Sequence, residues 1–110
     1  MTGVALIWTT VPDENSAREI VNSLLDERLI ACANIFGEHL AMFVWDGAQH
    51  EARETGMLLK LDAAGLEAAI ARLQALHPYE MPVIVGWHGD AAARPTLDWL
   101  ASVCLAVGQR

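Results

Sequence analysis

The residues of this chain that could do chemistry are few, and their spacing narrows what they can do. Four histidines stand at positions 39, 50, 77 and 88. No two of them have the i, i+4 spacing of a helix face or the i, i+2 spacing of a strand face, the arrangements that aim two imidazoles at one ion. His39 and His50 flank Asp46-Gly47, yet a hairpin centred on that turn puts them out of register, so a shared ion needs long reach. Two cysteines, Cys32 and Cys104, form neither a CxxC pair nor a disulfide framework. Cys32 sits between Ala31 and Ala33, and the nearest cation along the chain is Arg28. A reactive thiolate needs a cation or a helix N-terminus beside it, so both thiols are expected to be reduced, packed and poorly reactive. Lys60, the only lysine, lies in the apolar run Met57 to Leu61, either at a solvated rim or aimed at an anion. Trp45 is a core aromatic or one wall of a pocket. The segment His77-Pro78-Tyr79-Glu80-Met81-Pro82 brackets a Tyr and a Glu between two prolines, as either a rigid connector or a ligand-facing loop. No Ser-His-Asp order, glycine-rich phosphate loop or HExxH motif occurs, and the acidic residues are scattered singly, so the pattern points away from an enzyme.

The elements that must hold these residues follow from periodicity. Val4 to Thr10 is an apolar, β-branched run suited to a central strand. Asp13 is a helix N-cap, followed by Ala17, Ile20, Val21, Leu24 and Leu25 on one helical face that ends near Arg28. Leu29 to Ile35 reads as a strand, interrupted at Gly37-Glu38-His39, with a second run over Leu40 to Trp45. Asp46-Gly47 predicts a type I′ hairpin turn, and the return strand runs from about Gln49 to Leu61. Met57, Leu59 and Leu61 share one of its faces, and Gly37 and Gly56 are candidate bends or bulges. A second helix starts at Asp62 to Gly65, buries Leu66, Ala69, Ile70, Leu73 and Leu76, and stops at His77-Pro78. Val83 to Trp87 is a strand, and a last helix beginning near Pro95 carries Leu97, Leu100, Ala101 and Cys104. The order β-α-β-β-α-β with a C-terminal helix predicts an α+β, ferredoxin-like split βαβ fold with a long central hairpin, in one domain over residues 1–110.

Composition removes several classes of function. The net charge is −7 and no Lys/Arg cluster exists, so nucleic acid and anionic membrane surfaces are not expected partners. The apolar stretch Trp99 to Gly108 is too short for a membrane span, which needs about 20 residues. No basic region precedes an apolar run at the N-terminus, so a cytoplasmic setting is expected. Hydrophobic residues make up 54% and charged ones only 19%, more apolar surface than one small monomer can readily hide, which suggests an oligomer subunit.

Several runs, in order along the chain, together resemble the CutA family of divalent-cation tolerance proteins. They are Thr9 to Glu19 (TTVPDENSARE), Glu27 to Ile35 (ERLIACANI), Trp45-Asp46-Gly47, Leu58 to Leu61 (LLKL), His77 to Pro82 (HPYEMP) and Leu97 to Leu100 (LDWL). The resemblance implies a non-enzymatic, cytoplasmic homotrimer of ferredoxin-like subunits, similar in architecture to the trimeric PII proteins, whose hairpins extend the sheets of their neighbours. It implies a part in the response to copper and other divalent metal ions, with no obligatory cofactor. The alternatives are a PII-like small-ligand sensor or a trimeric anchoring module. Trp45, Lys60, His77, Tyr79 and Glu80 would line the cleft between subunits. Some family members carry further cysteines where this chain has Thr9 and Arg72, so a thiol-rich copper site is not expected and only Cys32 matches a family cysteine. Weak copper binding is expected from His77 and Glu80, with Cys32 as a third candidate ligand and His39 and His50 as competitors.

Overall fold

A computed structural model describes residues 3–105. The elements run β1 (Val4–Val11), α1 (Glu14–Asp26), β2 (Cys32–Trp45), β3 (Ala48–Asp62), α2 (Leu66–Leu76), β4 (Ile84–His88) and α3 (Arg94–Val103), with a 3-10 turn over Ala63–Gly65 leading into α2. The four strands form one antiparallel sheet in the order β2-β3-β1-β4. Since β1 and β2 both run antiparallel to the strand between them, they are parallel to each other, and α1 is the crossover of a split βαβ unit. The expected α+β fold is the one observed.

Local chemistry accounts for the boundaries. Asp13 has extended backbone, and its Oδ1 accepts the Ser16 N–H at 2.8 Å, satisfying one orphan donor at the start of α1. Those hydrogen bonds, the Ser16 backbone N–H first, hold the Asp13 carboxyl below its usual range. Ala17, Ile20, Val21 and Leu24 are buried along one face, whereas Leu25, expected with them, is 38% exposed. The chain leaves α1 through Arg28 in the left-handed region (φ 58°). Its Nε donates to the Val103 carbonyl at 2.9 Å and its own carbonyl accepts the Leu105 N–H, so the turn also pins the end of α3. Ala101 of α3 is exposed rather than buried, while Leu100 is fully buried.

The hairpin departs from expectation in one respect. The two apolar runs before Asp46 form a single strand that starts at Cys32 and does not break at Gly37-Glu38-His39. A register shift between Ile35 and Glu38, a bulge at Phe36-Gly37, absorbs the irregularity instead. Asp46 and Gly47 both have positive φ (51° and 76°), as a type I′ turn requires. Opposite the bulge, Gly56 lies under the indole of Trp8, and a Cβ there would sit 2.4 Å from the ring. Gly56→Ala must therefore displace Trp8, and a loss of about 1–3 kcal/mol is expected as a lower urea midpoint at unchanged slope.

One sheet face carries the core. Ala5, Ile7 and Val11 of β1 and Met57, Leu59 and Leu61 of β3 pack against Ile20, Leu24, Ala69 and Leu73 of the helices. Gly86 is on this face, because a Cβ there would touch Leu66 and Ile70 of α2 at 2.9 Å. The alternate residues point away from the helices and run across the sheet in register. One row is Cys32, Lys60, Leu6 and Trp87, and the next is Asn34, Leu58, Trp8 and Val85. Neither α1 nor α2 covers this second face, on which Val85 and Trp87 are 51% and 43% exposed.

β1 pairs with β3 only over residues 55–62, so the rest of the hairpin projects beyond the sheet and gives the chain a long dimension of 43 Å. Leu40, Met42, Phe43, Val44 and Trp45 are all exposed on the projecting part.

Candidate functional site

The densest polar arrangement lies where the segment after α2 meets the end of β1. Pro78 forces His77 out of the helix (ψ 135°), and the imidazole turns in under β1 with 8% exposure. The hydroxyl of the fully buried Thr9 donates to the Val83 carbonyl at 2.8 Å. Having spent its proton there, Thr9 Oγ1 accepts from His77 Nε2 at 3.0 Å, and the same Nε2–H reaches the Thr10 carbonyl at 2.9 Å. His77 Nδ1 accepts the Tyr79 N–H at 3.2 Å. These partners assign a neutral imidazole protonated on Nε2. Burial lowers the His77 pKa below its usual value, against smaller opposing effects of the Thr10 hydrogen bond and the Glu54 charge. Tyr79 Oη donates to Glu54 Oε2 at 2.5 Å, and burial followed by that carboxylate pushes the phenol pKa well above its usual range.

This geometry bears on the metal role expected of His77. Both ring nitrogens have protein partners and the ring is buried, so His77 and Glu80 do not offer a chelating pair; Glu80 itself is exposed. Among the described residues, no group of three or more His, Cys, Asp or Glu side chains could hold a metal ion. Glu54, only 9% exposed, is a member of the cluster that sequence reading missed. It sits in a polar stretch of the hairpin with no spacing signal, and only the fold brings it to Tyr79. Thr9 stands where some family members carry a cysteine, and here it is the hub of the network.

The remaining candidates lie apart. Trp45 is at the hairpin turn, opposite Ala48, while Lys60 is near the other end of β3, opposite Cys32. At about 3.3 Å per residue these positions are separated by most of the strand length, so one chain cannot place them in one cleft. The Cys32–Lys60 register also corrects the environment expected for the thiol: a cation does face it, from across the ladder rather than along the chain. Cys32 is half-buried and Cys104 buried, both as free thiols. His39 is opposite Glu54, and His50 is opposite Phe43 with the rings 5.7 Å apart. A shallow hollow at the hairpin end is lined by Met42, Phe43, Val44, Gln49, His50 and Glu51.

A four-stranded split βαβ sheet, packed on one face against α1 and α2 and drawn out into a long apolar hairpin, defines the class: an α+β, ferredoxin-like subunit with an extended arm. Within that class, the family model described as CutA1 divalent ion tolerance protein matches residues 5–103, and the chain belongs to that family. The divalent-cation tolerance protein CutA of Pyrococcus horikoshii is 41% identical, over 86% of this chain and 92% of its own length. The crystal structure of the divalent ion tolerance protein CutA1 from Ehrlichia chaffeensis is 33% identical with a TM-score of 0.88, covering 94% of this chain and 96% of that one. The periplasmic divalent cation tolerance protein CutA from Archaeoglobus fulgidus is 28% identical with a TM-score of 0.86, covering 91% and 97%.

Proposed function

We propose that this protein acts in the response to divalent metal ions as a non-enzymatic, cytoplasmic homotrimer that binds copper weakly and needs no resident cofactor. The observation that carries this reading is the incompleteness of the single chain. A projecting hairpin and part of the second sheet face present Phe36, Leu40, Phe43, Trp45, Val85 and Trp87 to solvent, each at least 43% exposed. Soluble monomers rarely leave such contiguous apolar surface open, and closed symmetry lets identical copies cover it for one another. Sheet edges at β2 and β4 also invite strand pairing between copies. Membership of a divalent ion tolerance family supports the metal response. Among the described residues, no helix is long and apolar enough to cross a membrane.

Copper is held, in this reading, by exposed imidazole with carboxylate, since the described residues offer no larger ligand set. Imidazole suits Cu(II), and His50 is exposed at the hairpin end, with only Nε2 engaged, on the Trp45 carbonyl. Cys32 faces an ammonium group, a poor neighbour for a metal cation. Calorimetric Cu(II) titration is expected to show weak binding that is retained in Cys32→Ser, reduced in His50→Ala, and lost as pH drops below about 6, where imidazole protonates. Loss of binding in Cys32→Ser with His50→Ala unaffected would make the thiol the ligand and overturn this assignment. Two free thiols fit a reducing compartment. Cell fractionation tests the compartment, and recovery of the native protein in the periplasmic fraction, as described for the Archaeoglobus relative, would contradict it.

A further inference from the structure

We propose that His77 is an acid-operated latch on the segment from His77 to Val83, holding it against β1 while the imidazole is neutral and releasing it when Nδ1 takes up a proton. Thr9 ties down both ends of that segment. Its Oγ1 accepts from His77 Nε2 at 3.0 Å and its hydroxyl donates to the Val83 carbonyl at 2.8 Å. The middle is held by the Tyr79 hydroxyl on Glu54. Two prolines, Pro78 and Pro82, stiffen the chain between these points, so it moves as a unit rather than residue by residue.

The switch lies in the inventory of the ring. A neutral imidazole offers one donor and one acceptor, and both are used: Nε2–H toward Thr9 and Thr10, Nδ1 toward the Tyr79 N–H. An imidazolium has donors at both nitrogens, so protonation turns the Nδ1 contact into two opposed N–H groups inside a site with 8% exposure. The groups facing the latch are accounted for on each element. β1 brings only Thr9 and Thr10, which do not titrate; β3 brings Glu54, with His39 of β2 opposite it; the segment itself brings Tyr79 and the exposed Glu80; Asp13, before α1, acts on the Tyr79 phenol, and Glu19 of α1 lines a hollow with Leu76 and Pro78. The Glu54 charge favours the imidazolium, and desolvation, the larger effect, disfavours it. The sign follows. Above the ordinary histidine pKa the ring is neutral whether the segment is closed or open. Below it, the open form binds a proton that the closed form resists, so opening becomes more favourable as pH falls.

The test is an NMR titration of the intact protein with hydrogen exchange. At neutral pH the His77 ring nitrogens should report the Nε2–H form. As pH is lowered, one transition below the usual histidine pKa should appear in both the ring and the Tyr79 amide. Protection of the Tyr79 amide relative to that of Leu59 should fall by about tenfold between about pH 7.5 and about pH 5. His77→Gln cannot titrate in this range, and its ratio should stay flat. Three results would each overturn the latch: the same fall in His77→Gln, His77 titrating while the Tyr79 amide is unmoved, or His77 staying neutral and the segment protected throughout. If His77→Gln does not fold, the wild-type ring and amide titrations decide alone.

Discussion

Val85→Asp combined with Trp87→Asp is expected to convert the protein into single chains or to stop it accumulating in folded form. Both residues lie on the sheet face turned away from α1 and α2, at 51% and 43% exposure in the single chain. Val85 continues the cross-sheet row of Trp8, Leu58 and Asn34, and Trp87 the row of Leu6, Lys60 and Cys32. The strand stays compatible with either side chain, because Gly86 and Ile84 supply the helix-facing positions and are untouched. The cost therefore falls on whatever covers the face. Burying an unpaired carboxylate in an apolar contact costs several kcal/mol, and each subunit of a symmetric assembly would carry two of them. Sedimentation velocity on wild type and variant reads the outcome. A variant that keeps the wild-type assembly at the same concentration would place the interface elsewhere.

Leu59→Ala is the single substitution expected to cost the chain most stability, about 2–5 kcal/mol, a large part of the about 5–15 kcal/mol that holds a domain folded. Leu59 is fully buried in the middle of β3, between Ile7 of β1 and Ala33 of β2. Its side chain points to α1 and α2 as part of the one core cluster, along with Met57 and Leu61. Removing it leaves a cavity lined from two layers, and a sheet braced by strands on both sides cannot collapse far to fill it. Urea unfolding at matched protein concentration should show the midpoint falling with the slope unchanged. Equal stability of wild type and variant would mean that the helix layer is not packed on this face.

The fold was more legible in the sequence than the site. Period-2 alternation over Met57, Leu59 and Leu61, the Asp13 cap, and Asp46-Gly47 each carry their own local physics, and each element stands where that physics puts it. The one misreading in the hairpin has a local cause. Gly37-Glu38-His39 looks like an interruption because a bulge and a loop draw on the same residue types, and only pairing with β3 separates them. The site depends on contacts between distant residues. Thr9 meets His77 across 68 positions and Glu54 meets Tyr79 across 25, distances at which no spacing rule operates. The Cys32–Lys60 pairing is likewise a property of strand register, invisible until the bulge is counted. His77 read as a metal ligand because nothing along the chain shows that both of its nitrogens would be claimed.

The proposed trimer, in which two further copies cover the hairpin and the apolar surface of each chain, is read out by light scattering on protein eluting from gel filtration. One species is expected at three times the 12.0 kDa chain mass, persisting on dilution, with a midpoint of unfolding that rises with protein concentration. A folded species at the mass of one chain, stable and independent of concentration, would contradict it.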